Sequence, residues 1–178
     1  MKKTLLSLAI ASLAAGQSVC AAVEKVYNEP DSVYIFSYAH PEDEGRSGLK
    51  FAWSPDGDKW LSVSDGFAYL KCDFGRWGAE KRMIKPLLEK AEDGRWYCRW
   101  QLTPSGKVWG TSHSSDLLKW APQQYVNAEK PAVPRLVTAR QIVLDKDTLN
   151  GYMQKVPYAD IEQLIRFAEH KKFRDIQN

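Results

Sequence analysis

The sequence predicts a mainly β protein built from two similar four-stranded units, followed by a small α/β appendage that ends in a helix. Three observations predict it. Short runs of β-branched and aromatic residues alternate with turn signals through the first two-thirds of the chain. One order of features occurs there twice. Beyond residue 160 the apolar residues switch to helical spacing. The chain has 178 residues, 44% hydrophobic and 26% charged. That composition belongs to a globular protein of one domain, or one domain with an appendage, and excludes wholesale disorder.

The elements follow in order. Met1-Lys2-Lys3 is a charged start, and Thr4 to Ala15 is an apolar run of 12 residues. A bilayer span takes about 20, so this run is too short to cross. The small residues Gly16 to Ala22 complete the layout of a secretory signal peptide. Cleavage after Ala21 and cleavage after Ala22 both fit. Export to the periplasm or exterior is the expected outcome, with lipid anchoring through Cys20 as the minority reading. No stable membrane span is expected after it. Without Lys2 and Lys3 the chain has 23 basic and 22 acidic side chains. A net charge of +1 lacks the concentrated positive field that a nucleic-acid binder needs.

Residues 23–126 carry the repeat. Val33 to Tyr38, Gly48 to Trp53, Phe67 to Cys72, Arg95 to Leu102 and Lys107 to Thr111 read as strands. Pro55-Asp56-Gly57 and Glu92-Asp93-Gly94 read as turns. Asp31 to Tyr38 aligns with Asp93 to Trp100 at an offset of 62. Ser54-x-Asp56-x-x-x-Trp60 aligns with Ser114-x-Asp116-x-x-x-Trp120 at an offset of 60. A unit of that length fits four strands and a long loop, the blade of a β-propeller, which buries its aromatic faces against its neighbours. The turn aspartates are expected to accept backbone N–H groups. The reading is therefore a partial β-propeller of two four-stranded blades.

Residues 127–178 form the appendage. Glu129 to Pro134 is a Pro-rich connector, and Leu136 to Leu144 supplies a strand. After Pro157, the residues Ile161, Leu164, Ile165 and Ala168 mark the buried stripe of an amphipathic helix. Asp160 and Glu162 lie in its first turn and Lys171, Lys172 and Arg174 in its last, which suits the helix dipole. Once Cys20 leaves with the leader, Cys72 and Cys98 remain. One disulfide and two buried free thiols are both compatible with their strand-like flanks. Two Cys and three scattered His (His40, His113, His170) do not supply a metal site. No phosphate-binding loop or nucleophile elbow is present, and no cofactor is expected.

Several segments together resemble the family 43-type glycoside hydrolases, five-bladed β-propellers that cleave plant polysaccharide side chains. They are Tyr34 to Tyr38, Gly48 to Gly57 with Lys59-Trp60, Lys85 to Leu88, Asp93 to Cys98, and Ser114 to Trp120. The resemblance covers residues 31–125, about half the chain. It implies a glycosidase or, as the alternative, a non-catalytic carbohydrate-binding module on the same scaffold. The family places an Asp near the start of the first inner strand, another in an Arg-Asp-Pro context, and a Glu further on. Here Val23 to Tyr27 holds Glu24 without an Asp-Pro, and the second inner strand reads Lys81-Arg82-Met83-Ile84-Lys85-Pro86, without the Asp. Five blades need about 300 residues at about 60 each. The expectation is thus an amino-terminal piece of a larger enzyme, a truncated product, or a propeller completed by a second chain or missing domain.

Glycoside hydrolysis needs two carboxyl groups about 5–9.5 Å apart. The loop from Asp73 to Arg82 is the best local cluster. Glu80 is the candidate acid or base. Arg76, Lys81 and Arg82 are candidates to hold a sugar carboxylate. Trp77 has no counterpart in the repeat and is the candidate stacking platform. His113, before the repeated turn, is a further candidate ligand contact. Asp31 and the acidic stretch His40 to Glu44 read as turn and exposed loop. The expected partner is an oligosaccharide or polysaccharide.

Overall fold

The computed structural model describes residues 30–64, 66–104, 106–129 and 131–177. The predicted leader, Cys20, Glu24 and the first inner strand over 23–27 lie outside the described residues. Among the described residues nine strands form two antiparallel sheets, and one short helix follows. The first sheet contains β1 (Ser32–Tyr38), β2 (Lys50–Ser54), β3 (Leu61–Ser62), β8 (Val137–Leu144) and β9 (Asp147–Pro157), in the order β3-β2-β1-β9-β8. The second is a meander of β4 (Ile84–Lys90), β5 (Trp96–Gln101), β6 (Val108–Ser114) and β7 (Gln124–Asn127). Helix α1 spans Glu162–Gln177. Among the described residues no helix is long and apolar enough to cross a membrane.

The repeat read in the sequence is a repeat of structure. Tyr34 stands opposite Ser54 across β1 and β2, and Trp96 stands opposite Ser114 across β5 and β6. The two offsets, 62 and 60, differ because the connection between β1 and β2 is longer than that between β5 and β6. The aspartates cap their turns as expected. Asp56 Oδ1 accepts the N–H groups of Asp58 and Lys59 at 2.9 and 3.0 Å. Asp116 Oδ1 accepts those of Leu118 and Lys119 at 2.9 and 2.8 Å.

The expected carboxy-terminal appendage is not separate. Strand β9 lies between β1 and β8, in register from Ser32↔Pro157 to Tyr38↔Gly151. The sequence understates this strand because Asp147–Pro157 has few β-branched residues and carries Asn150 and Gly151 in its middle. Its pairing partner lies more than a hundred residues upstream. Close approach requires Gly151, since a Cβ there would sit 2.2 Å from the Ser37 carbonyl oxygen. The expected strand Phe67 to Cys72 is reduced to a single bridge, Leu49↔Leu70. Its aromatic residues are used differently, Phe67 and Tyr69 packing on each other and Tyr69 on Phe51.

One core joins both sheets and the helix. Val33, Phe51, Trp96, Trp100 and Val156 meet Ile161, Leu164, Ile165 and Ala168 in it. Those four residues are the stripe read from the sequence, Ile161 standing just before α1 and the other three on it, and all are buried. A second cluster on the other face of the first sheet gathers Phe36, Tyr38, Ala52, Ile142, Leu144 and Leu149. The Ser37 hydroxyl is fully buried between the sheets and donates to the Pro86 carbonyl at 2.9 Å. Lys90 pairs with Asp160, tying the end of β4 to the turn that precedes α1. Cys72 and Cys98 are free and buried, not bridged.

Candidate functional site

The loop between Cys72 and Met83 is anchored at both ends. At its entry the Tyr125 hydroxyl lies 2.6 Å from the Asp73 carboxylate and 2.6 Å from Gln123 Oε1. Gln123 Nε2 donates to the Lys71 carbonyl at 2.7 Å, which fixes the direction of its amide. Phe74 packs on the same Tyr125 ring, with centroids 4.8 Å apart. Burial, then the Asp73 and Cys72 neighbours, push the Tyr125 hydroxyl up, so it is a donor at any ordinary pH. At the exit Met83 N–H donates to the Gly45 carbonyl at 3.0 Å. Arg82 pairs with Glu44 at 2.9 Å and donates from Nε to the Ala79 carbonyl at 2.9 Å.

Between these anchors the chain makes a 3-10 turn over Gly78–Glu80. Glu80 folds back and accepts the Trp77 backbone N–H at 3.1 Å, while Glu80 N–H donates to the Trp77 carbonyl at 3.0 Å. Trp77 itself is 73% exposed. An indole in water, on a turn closed by its own hydrogen bonds, leaves its aromatic face uncovered.

The structure brings some of the candidate residues together and separates others. Arg76, Trp77, Glu80, Lys81 and Arg82 share this one loop. Arg76 is exposed beside Trp77, whereas Arg82 is occupied by Glu44. His113 lies elsewhere, on β6. Its ring faces Tyr97 with centroids 5.7 Å apart, and it lines a shallow cavity of about 430 Å³ with Arg95, Lys119 and Trp120. None of the residues 76–82 lines that cavity. Asp93, the repeat partner of Asp31, accepts from the Arg95 N–H and the Tyr97 hydroxyl, both at 3.0 Å, so it serves its turn. Among the described residues no group of three or more His, Cys, Asp or Glu is placed to hold a metal ion.

One feature of β4 escaped the sequence reading except as a missing Asp. The pairing of β4 with β5 slips between Ile84 and Leu87, and within that bulge Lys85 has φ +50°. Its exposed side chain lines a groove of about 550 Å³, with residues 139–141 of β8 and 150–152 of β9 opposite. Lys85-Pro86 in a strand-like stretch is a visible signal of irregular backbone. The opposite wall is invisible in the sequence, because it depends on where β9 inserts.

Comparison with family models, with curated proteins and with solved structures returns no match.

Proposed function

We propose that this chain is an exported carbohydrate-binding module on a partial propeller scaffold of the glycosidase type, with two blade-like sheets, one of five strands and one of four. The observation that carries the reading is Trp77. A side chain with that much apolar surface is normally buried, yet it stands 73% exposed on a turn anchored at both ends. Pyranose rings present C–H faces that pack on such an indole, and Arg76 and Lys81 beside it supply donors for sugar hydroxyls or carboxylates. The blade reading draws support from the shared register and the duplicated Ser-x-Asp turns. Export rests on the leader composition.

The geometry favours binding over hydrolysis. Hydrolysis needs a second carboxyl group facing the first. Asp73 and Glu44, the carboxylates tied to this loop, are taken up by Tyr125 and by Arg82 with Arg46. Glu80 is engaged with the Trp77 N–H of its own turn.

The test is isothermal titration with a panel of plant and host oligosaccharides. Trp77→Ala is expected to abolish binding while leaving the unfolding free energy within about 0.5 kcal/mol of wild type, as for an exposed substitution. Unaltered affinity would remove the stacking platform. Turnover of any oligosaccharide that is lost in Glu80→Gln with binding retained would restore the hydrolase reading.

A further inference from the structure

We infer that the groove between the β4 bulge and the β8–β9 hairpin is a second ligand site, and that it takes an anionic sugar, one carrying a carboxylate or a sulfate. The inference rests on the carbohydrate reading for the body of the ligand but not for its charge. Three observations carry it.

The first is the backbone of Lys85. Among the described residues four non-glycine residues have positive φ, and Glu44, Leu117 and Asp145 all sit in turns or hairpin ends. Lys85 alone sits inside a strand, and it precedes Pro86, where the chain prefers extended conformations. Such a residue persists only when its surroundings hold it, and it points to function when they do. Here the surroundings hold it well. The bulge removes the ladder constraint at residues 85 and 86, and the buried Ser37 hydroxyl captures the Pro86 carbonyl at 2.9 Å. The conformation turns the Lys85 side chain out of the β4–β5 ladder and into the groove.

The second is charge. The groove lining contains Lys85 and no carboxylate. Lys85 makes no ion pair with a described residue. Arg140, also in the lining, alternates to the other face of the sheet, where its guanidinium meets Met153 Sδ at 3.7 Å and Asp58 at 3.7 Å. One cation faces the cavity, with no carboxylate in the lining to neutralise it.

The third is the remaining lining. Tyr152 offers a hydroxyl, and the Gln141 and Asn150 amides, 3.2 Å apart, offer donors and acceptors. A volume of about 550 Å³ falls in the range of small-ligand sites. A cation that pairs with an acid group, surrounded by neutral polar groups that pair with hydroxyls, describes a uronate or a sulfated sugar.

The experiment titrates the mature chain with three probes: a galacturonate oligomer, a chondroitin sulfate oligomer and a neutral xylo-oligomer of equal length. Wild type should bind at least one acidic oligomer about tenfold more tightly than the neutral one, the scale of one charge-assisted hydrogen bond. Galacturonate preference would assign the carboxylate, and preference for chondroitin sulfate alone would assign the sulfate. Lys85→Gln should remove that preference without lowering the melting temperature, and Arg140→Gln, on the other face of the sheet, should leave it. Lys85→Gly should lose it while raising the melting temperature, because glycine relieves the backbone at positive φ. Equal affinity for neutral and acidic oligomers, or an acidic preference unchanged in Lys85→Gln, overturns the inference. The two readings fail separately. Loss of binding in Trp77→Ala with no effect of Lys85→Gln leaves the carbohydrate reading standing alone. Lys85-dependent binding of acidic oligomers that Trp77→Ala does not disturb leaves the groove standing alone.

Discussion

Ser54 and Ser114 are structural counterparts, each hydroxyl closing the same turn at the end of a paired strand. Ser54 Oγ donates to Asp56 at 2.9 Å and accepts the Gly57 N–H at 2.8 Å; Ser114 Oγ donates to Asp116 at 3.1 Å and accepts the Leu117 N–H at 2.8 Å. Both following residues have positive φ, +85° at Gly57 and +63° at Leu117. The second copy tolerates a leucine there because its side chain is fully buried in the core, which offsets the backbone cost.

These turns predict acid sensitivity. The Lys59 and Asp58 N–H groups and the Ser54 hydroxyl lower Asp56 from its ordinary 3.8 to about 2. At Asp116 partial burial acts upward, but the Lys119 and Leu118 N–H groups and Ser114 outweigh it, and the net direction is again down. A carboxyl group with a depressed folded value stabilises above its unfolded value and loses that effect as pH falls through the folded value. The window for Asp56 therefore lies between about 4 and about 2. The melting temperature should fall across it, and the fall should be smaller in the double variant Asp56→Asn, Asp116→Asn. Parallel curves for wild type and variant would show that other carboxylates govern acid unfolding.

Cys98 is fully buried, and burial pushes its thiol well above the ordinary range. It should resist alkylation in the native protein and react only after denaturation. Mass spectrometry after native labelling with iodoacetamide, then denaturation and a second, isotopically distinct label, reads this directly. Native-phase label on Cys98 would mean that the sheets open far more readily than this packing allows.

Gly151 is where β9 meets β1, and Phe36 lies over it, 2.6 Å from where a Cβ would stand. Gly151→Ala must push β9 away from the Ser37 carbonyl. The expected cost is about 1–3 kcal/mol by overpacking, read from urea unfolding. A variant as stable as wild type would show that β9 docks more loosely against β1.

Leu164, 1% exposed, tests whether α1 belongs to the folding unit. Leu164→Ala should cost about 2–5 kcal/mol, with near-ultraviolet circular dichroism of the core Trp96 and Trp100 lost in the same transition. A separate, earlier melt of helix signal alone would detach α1 from the core of the two sheets.

The candidate loop was legible as a composition, not as an arrangement. Trp77 stood out because nothing in the repeat covers it, and the structure leaves it exposed. The pairing of Glu80 with the Trp77 N–H, and of Arg82 with Glu44, followed no sequence signal, because a charged side chain does not announce which neighbour will take it. The place of His113 before the repeated turn makes it a candidate ligand contact, and its strand carries it to a different surface from the loop.

By itself the sequence determined the mainly β character, the duplicated unit with its capped turns, and the buried stripe of α1. These are local properties: alternation, turn chemistry and helical period act between residues a few positions apart. Tertiary structure alone decided that Asp147–Pro157 joins the first sheet, that Ser37 reaches Pro86, and that Lys85 shares a groove with β8 and β9. Those contacts depend on burying one shared core, and the free energy that places β9 beside β1 comes from side chains distant along the chain rather than from the strand's own weak propensity.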